Sequence, residues 1–390
     1  MMRRAYLDNN ATTPLLPPVL EAMQPYFIEQ FGNASSIHHH GQQTRAAVER
    51  ARESVAALLG CRASEVVFTS GGTEADNLAI FGITRPGDHV ITSSIEHHAV
   101  LNACKRLEED AMGCEVTYLP VDGQALVSPD DVKRALRPNT RLISIMMANN
   151  ETGVLQPVNE IGAIAAEADV YFHTDAVQAA GKVPIDVSAI RCDLLSISAH
   201  KIHAQQGVGA LYVRKGTLLQ PMLYGGRHER ARRAGTENVA GIVGLGKAAE
   251  LARAGLGNGE VERVRMLRDR LERIITETID AVGVNSAGAP RVPNTSSIYF
   301  DYIEGEALVI ALDLKGVAVS TGAACSSGAI EPSHVLTAMG LSPDRARASL
   351  RFSIGKQNTS EDVDLLLSIL PATVSRLREL SPIYNKVQAG

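Results

Sequence analysis

The sequence Leu194-Leu195-Ser196-Ile197-Ser198-Ala199-His200-Lys201 places a lysine at the end of a short apolar run. Upstream, a second apolar run ends in His173-Thr174-Asp175-Ala176-Val177-Gln178. A lysine and a carboxylate at the ends of buried strands match the needs of pyridoxal 5′-phosphate (PLP). This cofactor takes an amine for its Schiff base and an acid against its pyridinium nitrogen. For an isolated Ser-x-His-Lys sequence, a core strand whose final lysine reaches toward water is the simpler interpretation, so other segments must decide.

Strand-like and helix-like patterns alternate around this lysine. Strands are predicted at 65–68, 89–93, 115–119, 141–147, 170–174, 194–198 and 209–213. Helix-length segments lie between several of them, at 99–109, 130–136 and 158–167. Such alternation predicts an α/β fold with a mostly parallel seven-stranded sheet between helices. Ligands of such sheets bind at the carboxyl ends of the strands, which is where Lys201 and Asp175 fall.

The pattern changes after residue 257. An amphipathic helix is predicted at 260–279, followed by strand-like runs at 296–300, 317–320 and 349–354 and a final helix at 361–380. This order is typical of a smaller α+β C-terminal domain. A length of 390 residues also favours two domains. We predict a large domain at 15–257 and a small domain formed by 1–14 and 258–390.

The composition argues against several classes of protein. Hydrophobic residues make up 45% and charged residues 21%, as in ordinary globular proteins. A net charge of −5 gives no electrostatic reason to bind nucleic acid or an anionic membrane. Arg3 and Arg4 are not followed by the apolar segment of a signal peptide, and no apolar run reaches the roughly 18 residues of a membrane span. We therefore expect a cytoplasmic protein that binds neither nucleic acid nor a membrane.

The cysteines are scattered and odd in number: Cys61, Cys104, Cys114, Cys192 and Cys325. Without a Cys-x-x-Cys pair they predict neither a disulfide framework nor a zinc site. Adjacent histidines at 38–40 and 97–98 point in different directions and are poor co-ligands, so we expect no metal. Cys325 differs from the other four because residues 320–328 are almost all small. That composition predicts an exposed loop, where a thiol reacts rather than packs.

Four further segments carry chemical groups. Ser70-Gly71-Gly72-Thr73-Glu74 joins a strand to a helix and offers backbone N–H groups to a phosphate, although a plain tight turn is commoner. His97 follows another strand and either stacks on an aromatic cofactor or simply begins a helix. The arginine-rich turn 225–236 indicates a phosphate contact or a subunit interface. Arg351 lies in a strand-like run and either binds a carboxylate through two hydrogen bonds or forms a surface ion pair.

A shared set of motifs extends over nearly the whole chain, at residues 6–14, 31–36, 68–74, 96–97, 149–153, 175–178, 198–201, 233–236, 322–325 and 351–353. Their residues and their order resemble the class V aminotransferase-like PLP enzymes, and within them the NifS/IscS-type cysteine desulfurases. The resemblance implies PLP fold type I and a homodimer. It also implies conversion of L-cysteine to L-alanine, with the sulfur held as a persulfide on Cys325. A sulfur-acceptor protein, such as an Fe–S scaffold, would then receive it for Fe–S cluster assembly or other thio-cofactors.

The resemblance also implies roles for individual residues. The catalytic residues would be Lys201, His97 and Cys325. The cofactor-binding residues would be Lys201, Thr73, His97, Asn150, Asp175, Gln178, Ser198, His200 and Thr236, the last reaching the phosphate held by the other subunit. The substrate-binding residues would be Asn33, Asn150 and Arg351.

The chain departs from the family pattern after the lysine. Gln205-Gln206 replaces the usual Pro-Lys, which removes a rigid backbone angle and a positive charge. Ala34 replaces a proline common in the motif at 31–36. A selenocysteine lyase or a class V aminotransferase remains an alternative within PLP chemistry. A non-enzymatic protein that kept the fold is the alternative from another class, and the joint presence of Lys201, Asp175, His97 and Cys325 argues against it.

Overall fold

A computed structural model describes residues 3–109, 113–322, 332–382 and 384. The helices of the described residues are α1 (Pro17–Met23), α2 (Pro25–Ile28), α3 (His39–Leu59), α4 (Gly72–Ile83), α5 (His98–Glu109), α6 (Pro129–Ala135), α7 (Val158–Glu167), α8 (Val187–Ile190), α9 (Val239–Gly255), α10 (Glu260–Thr278), α11 (Gly305–Asp313), α12 (His334–Ala338), α13 (Pro343–Arg347) and α14 (Ser360–Leu380). The strands are β1 (Ala5–Tyr6), β2 (Val66–Thr69), β3 (His89–Ser93), β4 (Glu115–Leu119), β5 (Thr140–Ser144), β6 (Tyr171–Asp175), β7 (Leu194–Ser198), β8 (Gly209–Val213), β9 (Val282–Val284), β10 (Thr295–Phe300), β11 (Val317–Ala318) and β12 (Ser349–Ser353).

Seven strands form the large sheet, in the order β2-β8-β7-β6-β5-β3-β4. Strands β3 to β7 pair in parallel, whereas β8 is antiparallel to both β2 and β7. Because two antiparallel pairings restore the direction, β2 runs the same way as β3 to β7. The carboxyl ends of these six strands therefore meet at one edge of the sheet. The predicted mostly parallel seven-stranded α/β sheet is confirmed.

Helices cover both faces of this sheet. Val90 and Leu142 face one side, where they pack in a core with α4 and α5. Their chain neighbours Ile91 and Ile143 face the other side, in the core with α3, α7 and α9. Successive strand residues point to opposite faces. A strand buried on both faces therefore reads as an uninterrupted apolar run, which explains why these strands were visible in the sequence.

A second core lies in the C-terminal part of the chain. Strands β12, β10 and β9 form an antiparallel sheet in that order, and Phe300 and Phe352 from it pack with α10 and α14. The beginning of the chain joins this part, since β1 pairs in parallel with β11. The domain limits proposed from the sequence, 15–257 against 1–14 with 258–390, stay a prediction.

The long helices α3 and α9 were not predicted from the sequence. Helix α3 begins at His39, within the run of three histidines, and the His38 side chain caps it by accepting a hydrogen bond from the Gly41 N–H. The pattern of α9 is weakened by its glycines, which are poor helix formers. These glycines let the two helices approach: a Cβ on Gly246 would lie only 2.5 Å from the Cα of Ala51.

We expect Gly246→Ala to destabilise the protein by about 2 kcal/mol, because overpacking against fixed backbone costs roughly 1–3 kcal/mol. Gly244→Ala is the matched control in the same helix. Its new methyl group would meet mainly the Met23 side chain, whose flexible end can move, so the loss should stay below about 1 kcal/mol. Urea unfolding of both variants measures the difference. Equal losses would contradict the described packing of α3 on α9.

Candidate active site

The predicted site residues gather at the carboxyl edge of the large sheet. Asp175 ends β6 and Ser198 ends β7. His97 follows β3, and Thr73 lies in the first turn of α4, just after β2. Since these strands run in the same direction, the fold brings together residues that lie far apart in the chain.

Lys201 closes a short 3-10 helix, Ala199–Lys201, directly after β7. Its Nζ donates hydrogen bonds to the carbonyl oxygens of Asn10, at 2.5 Å, and Ala11, at 2.7 Å. The same N-terminal segment holds the lysine turn, because the Thr13 N–H donates to the carbonyl oxygen of His200 at 2.9 Å. The amine is therefore aimed at the edge of the sheet and away from open solvent.

Asp175 is a buried carboxyl group at this edge. Burial raises its pKa to about 6, although the Val177 N–H, which donates to Oδ1 at 2.8 Å, and the charge of Lys201 work in the opposite direction. Asp76 on α4 is also buried, and burial together with the charge of Asp175 raises its pKa well above its ordinary value. A cation beside Asp175 would relieve this desolvation. The protonated pyridine nitrogen of PLP is such a cation.

A neutral histidine, His173, lies next to the carboxyl group of Asp76. His173 Nδ1 is 2.8 Å from Ser144 Oγ, and its Nε2 is 3.0 Å from Ser196 Oγ and 3.6 Å from Asp76 Oδ1. Burial lowers the pKa of His173 to about 3. The imidazole therefore stays neutral and connects two strands through hydroxyl groups, without compensating the buried carboxyl groups.

His97 is half-buried at the same edge. Burial, followed by the charge of Lys201, lowers its pKa to about 4. Its Nδ1 accepts a hydrogen bond from the Ala99 N–H at 3.1 Å. In the neutral ring the proton is therefore on Nε2. At neutral pH the imidazole presents an uncharged face to a flat cofactor and retains capacity to take up a proton.

The turn before α4 has the shape of a phosphate cradle. A Cβ on Gly72 would lie 2.9 Å from Val177 Cγ2, and one on Gly209 would lie 2.6 Å from the backbone of Gly71. Only glycines allow this approach, which leaves the first N–H groups of α4 beside the exposed Thr73. Ser198 lies next to the turn, 3.5 Å from the same Cβ position on Gly72. The backbone and hydroxyl donors fit the phosphate of PLP.

His200 lies beside Lys201 on the lysine turn. Its Nδ1 is 3.1 Å from Thr12 Oγ1, and burial, with the charge of Lys201, lowers its pKa to about 4. The neutral ring still carries one N–H donor. Gln206, from the segment that departs from the family pattern, places its Nε2 3.4 Å from the same hydroxyl.

Arg351 and Asn150 meet at the site, and Asn33 does not join them. Arg351 Nη2 donates to Asp8 Oδ1 at 2.8 Å and Nη1 donates to the carbonyl oxygen of Asn150 at 3.0 Å. Its buried Nε has no hydrogen-bond partner in the described part of the chain. Asn33 is exposed, and its Oδ1 accepts from the Ser35 N–H at 2.8 Å, within its own turn. The structure therefore leaves a guanidinium donor at the site, whereas the substrate role of Asn33 stays a prediction.

Thr236 is exposed at the end of the arginine-rich turn. Two ion pairs fix this turn to its own subunit. Glu229 accepts from Arg52 at 2.6 and 2.8 Å, and Arg233 donates to Glu74 on α4 at 2.8 Å. The turn is thus held rigidly while Thr236 faces outward.

Cys325 lies outside the described residues. The described residues that flank it, Gly322 and Ser333, both lie against Glu151: Ser333 Oγ donates to Glu151 Oε2 at 2.6 Å, and a Cβ on Gly322 would be 2.9 Å from the same oxygen. Glu151 follows Asn150, so both flanks of the cysteine segment begin at the site.

The other four cysteines are poor nucleophiles. Burial raises the pKa of Cys61 to about 12 and raises those of Cys104, Cys114 and Cys192 as well. A protonated thiol reacts slowly. Packing is therefore the role that the structure supports for these four residues, as their sequence contexts predicted.

The sequence analysis gave no role to four buried or half-buried polar residues of the site: Asn10, Asp76, Glu96 and Lys182. Asn10 and Glu96 lie inside motifs that carried the resemblance. Lys182 follows Gln178 by four residues. Their contacts depend on distant segments, so spacing alone could not reveal them. The described residues hold no group of three or more His, Cys, Asp or Glu side chains that could bind a metal ion. They also contain no helix that is both long and apolar enough for a membrane span.

Comparison with known proteins is consistent with the geometry. The family model described as aminotransferase class-V matches residues 5–366. A protein of Dictyoglomus turgidum named cysteine desulfurase IscS is 51% identical over 386 residues, covering 98% of this chain and 97% of the relative. A solved structure described as a NifS-like protein is 36% identical with a TM-score of 0.88, covering 96% of this chain and all of the other. Another, described as SspA in complex with cysteine, is 38% identical with a TM-score of 0.80, covering 91% and 100%.

Glu96 provides a test of how strongly the site is shielded from water. Burial raises its pKa to about 8, so between its ordinary value near 4.5 and pH 8 the folded protein holds a proton that the unfolded chain has released. The contribution of protonated Glu96 to the stability of the folded protein is therefore complete below pH 4.5 and is lost as the pH rises to 8. We expect Glu96→Gln, which cannot ionise, to gain roughly 4 kcal/mol of stability relative to wild type between pH 4.5 and pH 8. Urea unfolding across this range measures it, and a pH-independent difference would contradict the burial.

Proposed function

The chain belongs to the class V aminotransferase family, and from this premise we propose that it is a PLP-dependent cysteine desulfurase, a sulfurtransferase that converts L-cysteine to L-alanine. Relatives named cysteine desulfurase, half identical over nearly the full chain, support the activity. The observation that carries the proposal is the position of Lys201, whose amine lies at the strand edge together with Asp175, His97 and Arg351.

The carboxyl edge supplies each group that PLP needs. Lys201 would hold the cofactor covalently, and Asp175 would hold the proton on its ring nitrogen. The turn at Gly72 and Thr73, together with Ser198, would bind its phosphate. Bound PLP supplies an electron sink for the bond changes at the substrate. The raised pKa of Asp175 supports this assignment, because a cation is what its buried carboxylate lacks.

Two neighbouring groups can move protons at the substrate. The amine of Lys201 and the neutral imidazole of His97 lie at the same edge, and the charge of Lys201 contributes, after burial, to the lowered pKa of His97. The Nε2 of His97 carries the proton in the neutral ring, so its Nδ1 must exchange the Ala99 hydrogen bond before it accepts one. We assign proton transfer at the substrate carbon to Lys201 and acid–base assistance to His97.

Arg351 and Asn150 would hold the substrate carboxylate. The Nη atoms of Arg351 are already engaged by Asp8 and by the backbone of Asn150, which fixes the plane of the guanidinium. Its unpartnered Nε remains as a charge-assisted donor. Asn33 is the second proposed contact, and reaching the carboxylate would require it to leave its local turn.

Cys325 is the proposed sulfur acceptor. Its thiolate would attack the sulfur of the bound cysteine, so that a new S–S bond forms and the carbon–sulfur bond breaks. The electron pair of that bond returns to the substrate carbon, which takes a proton and leaves as alanine. The sulfur remains on Cys325 as a persulfide. The raised thiol pKa values of the other cysteines support this choice.

The active unit is proposed to be a homodimer. Large apolar side chains are strongly exposed on this chain: Phe27, Ile28, Phe31, Leu218 and Tyr224. Two of them, Leu218 and Tyr224, shortly precede the arginine-rich turn in the sequence, and exposed apolar surface favours association. A partner placed there would let Thr236 reach the phosphate held by the other subunit. We expect the enzyme to act in the cytoplasm and to deliver sulfur to an acceptor protein, such as an Fe–S scaffold, for Fe–S cluster assembly or other thio-cofactors.

We expect Cys325→Ala to bind PLP and L-cysteine normally yet to release alanine about 10³-fold more slowly, or slower still, because loss of a covalent nucleophile has effects of this size. Cys192→Ala is the matched control and should keep near wild-type turnover. Visible spectra report binding, and amino-acid analysis reports alanine. Near wild-type alanine release by Cys325→Ala would contradict the desulfurase assignment.

A mixed dimer tests whether Thr236 acts across the interface. We expect Thr236→Val to weaken PLP binding and Lys201→Ala to abolish covalent cofactor attachment. A dimer with one subunit of each kind has one complete site, built from Lys201 of the first and Thr236 of the second. Cofactor absorbance at limiting PLP should then recover to about half of the wild-type value per dimer, since one of two sites is restored. No recovery would show that Thr236 serves its own subunit or no phosphate at all.

A further inference from the structure

We infer that Lys182 is a positioning residue, which fixes the amide of Gln178 so that its N–H groups face the cofactor and the carbonyl oxygen of Asn10. The inference rests on the proposed function, since it concerns the residues that would surround PLP. Lys182 would act through Gln178 and Asn10, to which its Nζ donates hydrogen bonds.

The contacts of Lys182 are short and internal. Its Nζ donates to Gln178 Oε1 at 2.7 Å and to Asn10 Oδ1 at 3.3 Å. Gln178 is buried with 4% of its surface exposed, and Asn10 with 1%. Both acceptors are thus removed from water, so the amine of Lys182 is what satisfies the glutamine oxygen.

These contacts decide which way the glutamine amide points. The two ends of a glutamine amide have nearly the same shape, and only their hydrogen-bond partners distinguish them. The amine of Lys182 donates to Oε1 at 2.7 Å. Nε2 points the other way and donates at 3.0 Å to the carbonyl oxygen of Asn10, which can only accept. Its second N–H is left for the ring oxygen of PLP, the role proposed for Gln178.

The same carbonyl oxygen binds the catalytic amine. Lys201 Nζ donates to it at 2.5 Å, so one carbonyl oxygen serves both Gln178 and Lys201. Asn10 cannot turn to follow either group. Its Oδ1 also accepts from Asn294 Nδ2 at 3.0 Å, and its Nδ2 donates to Thr295 Oγ1 at 2.8 Å. Lys182 is therefore part of a hydrogen-bond network that includes Gln178, Asn10 and Lys201 and restricts their movement.

The hydrogen bonds of Lys182, and not a fixed charge, carry its effect. Burial, followed by the charges of Lys201 and Arg351, lowers the pKa of Lys182 well below its ordinary value. The described residues that line the small cavity beside Lys182 and Lys201 include His203, Lys356 and Glu260. A Gln178 N–H held on the ring oxygen would stabilise the form in which the nitrogen that links Lys201 to the cofactor carries no proton.

The test measures the bound cofactor and not only turnover. Lys182→Met keeps the length of the side chain and removes its donors. We expect the visible absorbance of bound PLP to titrate at a pH at least about half a unit higher than in wild type, and PLP to dissociate about ten-fold more readily, as for the loss of one charged hydrogen bond. Lys182→Arg, which keeps donors and charge, should restore most of both values. Lys356→Met, in the same cavity but without a contact to Gln178, is the control and should leave both unchanged.

The outcomes separate the inference from the proposed function. A wild-type protein that takes up no PLP would overturn the proposed function. A wild-type protein that binds PLP, with Lys182→Met matching Lys356→Met in both titration and affinity, would overturn the role of Lys182 alone. If Lys182→Met does not fold, Lys182→Gln is measured in its place. Adding whichever Lys182 substitution folds to Gln178→Met should have little further effect, because Lys182 acts through Gln178, and full additivity would contradict this.

Discussion

The hydrogen bonds of Asn10 connect every part of the site. Its carbonyl oxygen accepts from Lys201 and Gln178 at the edge of the large sheet. Its backbone N–H donates to Ser353 Oγ, and its side chain binds Thr295, so it is also joined to the C-terminal sheet. Because Asn10 is buried, these bonds do not compete with water. The same residue therefore contacts the Lys201 amine and joins the large sheet to the C-terminal sheet.

Desolvation is the second feature that organises the site. It raises the pKa values of Asp76, Glu96 and Asp175 and lowers those of His97 and His173. The protein therefore holds several groups in forms that carry less charge than they would in water. A charged cofactor would supply what is missing: Asp175 would hold the proton of its ring nitrogen, and the N–H groups of α4 would bind its phosphate. Burial of these residues would in this way favour a flat, zwitterionic ligand.

The sequence predicted the sheet well because its strands are buried on both faces and read as continuous apolar runs. Six of the seven predicted strands both begin and end within about one residue of the observed ones. The exception is β5 (Thr140–Ser144), which ends three residues before the end of the predicted strand 141–147. Lys201, Asp175 and His97 could be proposed from the sequence because each lies at the end of a strand or a few residues after it. Lys182 and Asn10 were not, because their roles come from contacts between segments far apart in the chain. The helices α3 and α9 were missed because glycine and alanine, which permit their close packing, give little apolar periodicity.

The most direct test of the proposed chemistry is the stoichiometry of products from L-cysteine. The purified protein, loaded with PLP and supplied with a thiol reductant, is incubated with L-cysteine, and alanine, sulfide, pyruvate and ammonia are measured together. The account predicts alanine and sulfide in equal amounts, with pyruvate and ammonia near background. Sulfide accompanied by pyruvate and ammonia, or a keto acid without sulfide, would mean that the carbon–sulfur bond is not broken by attack on sulfur and would contradict the assignment.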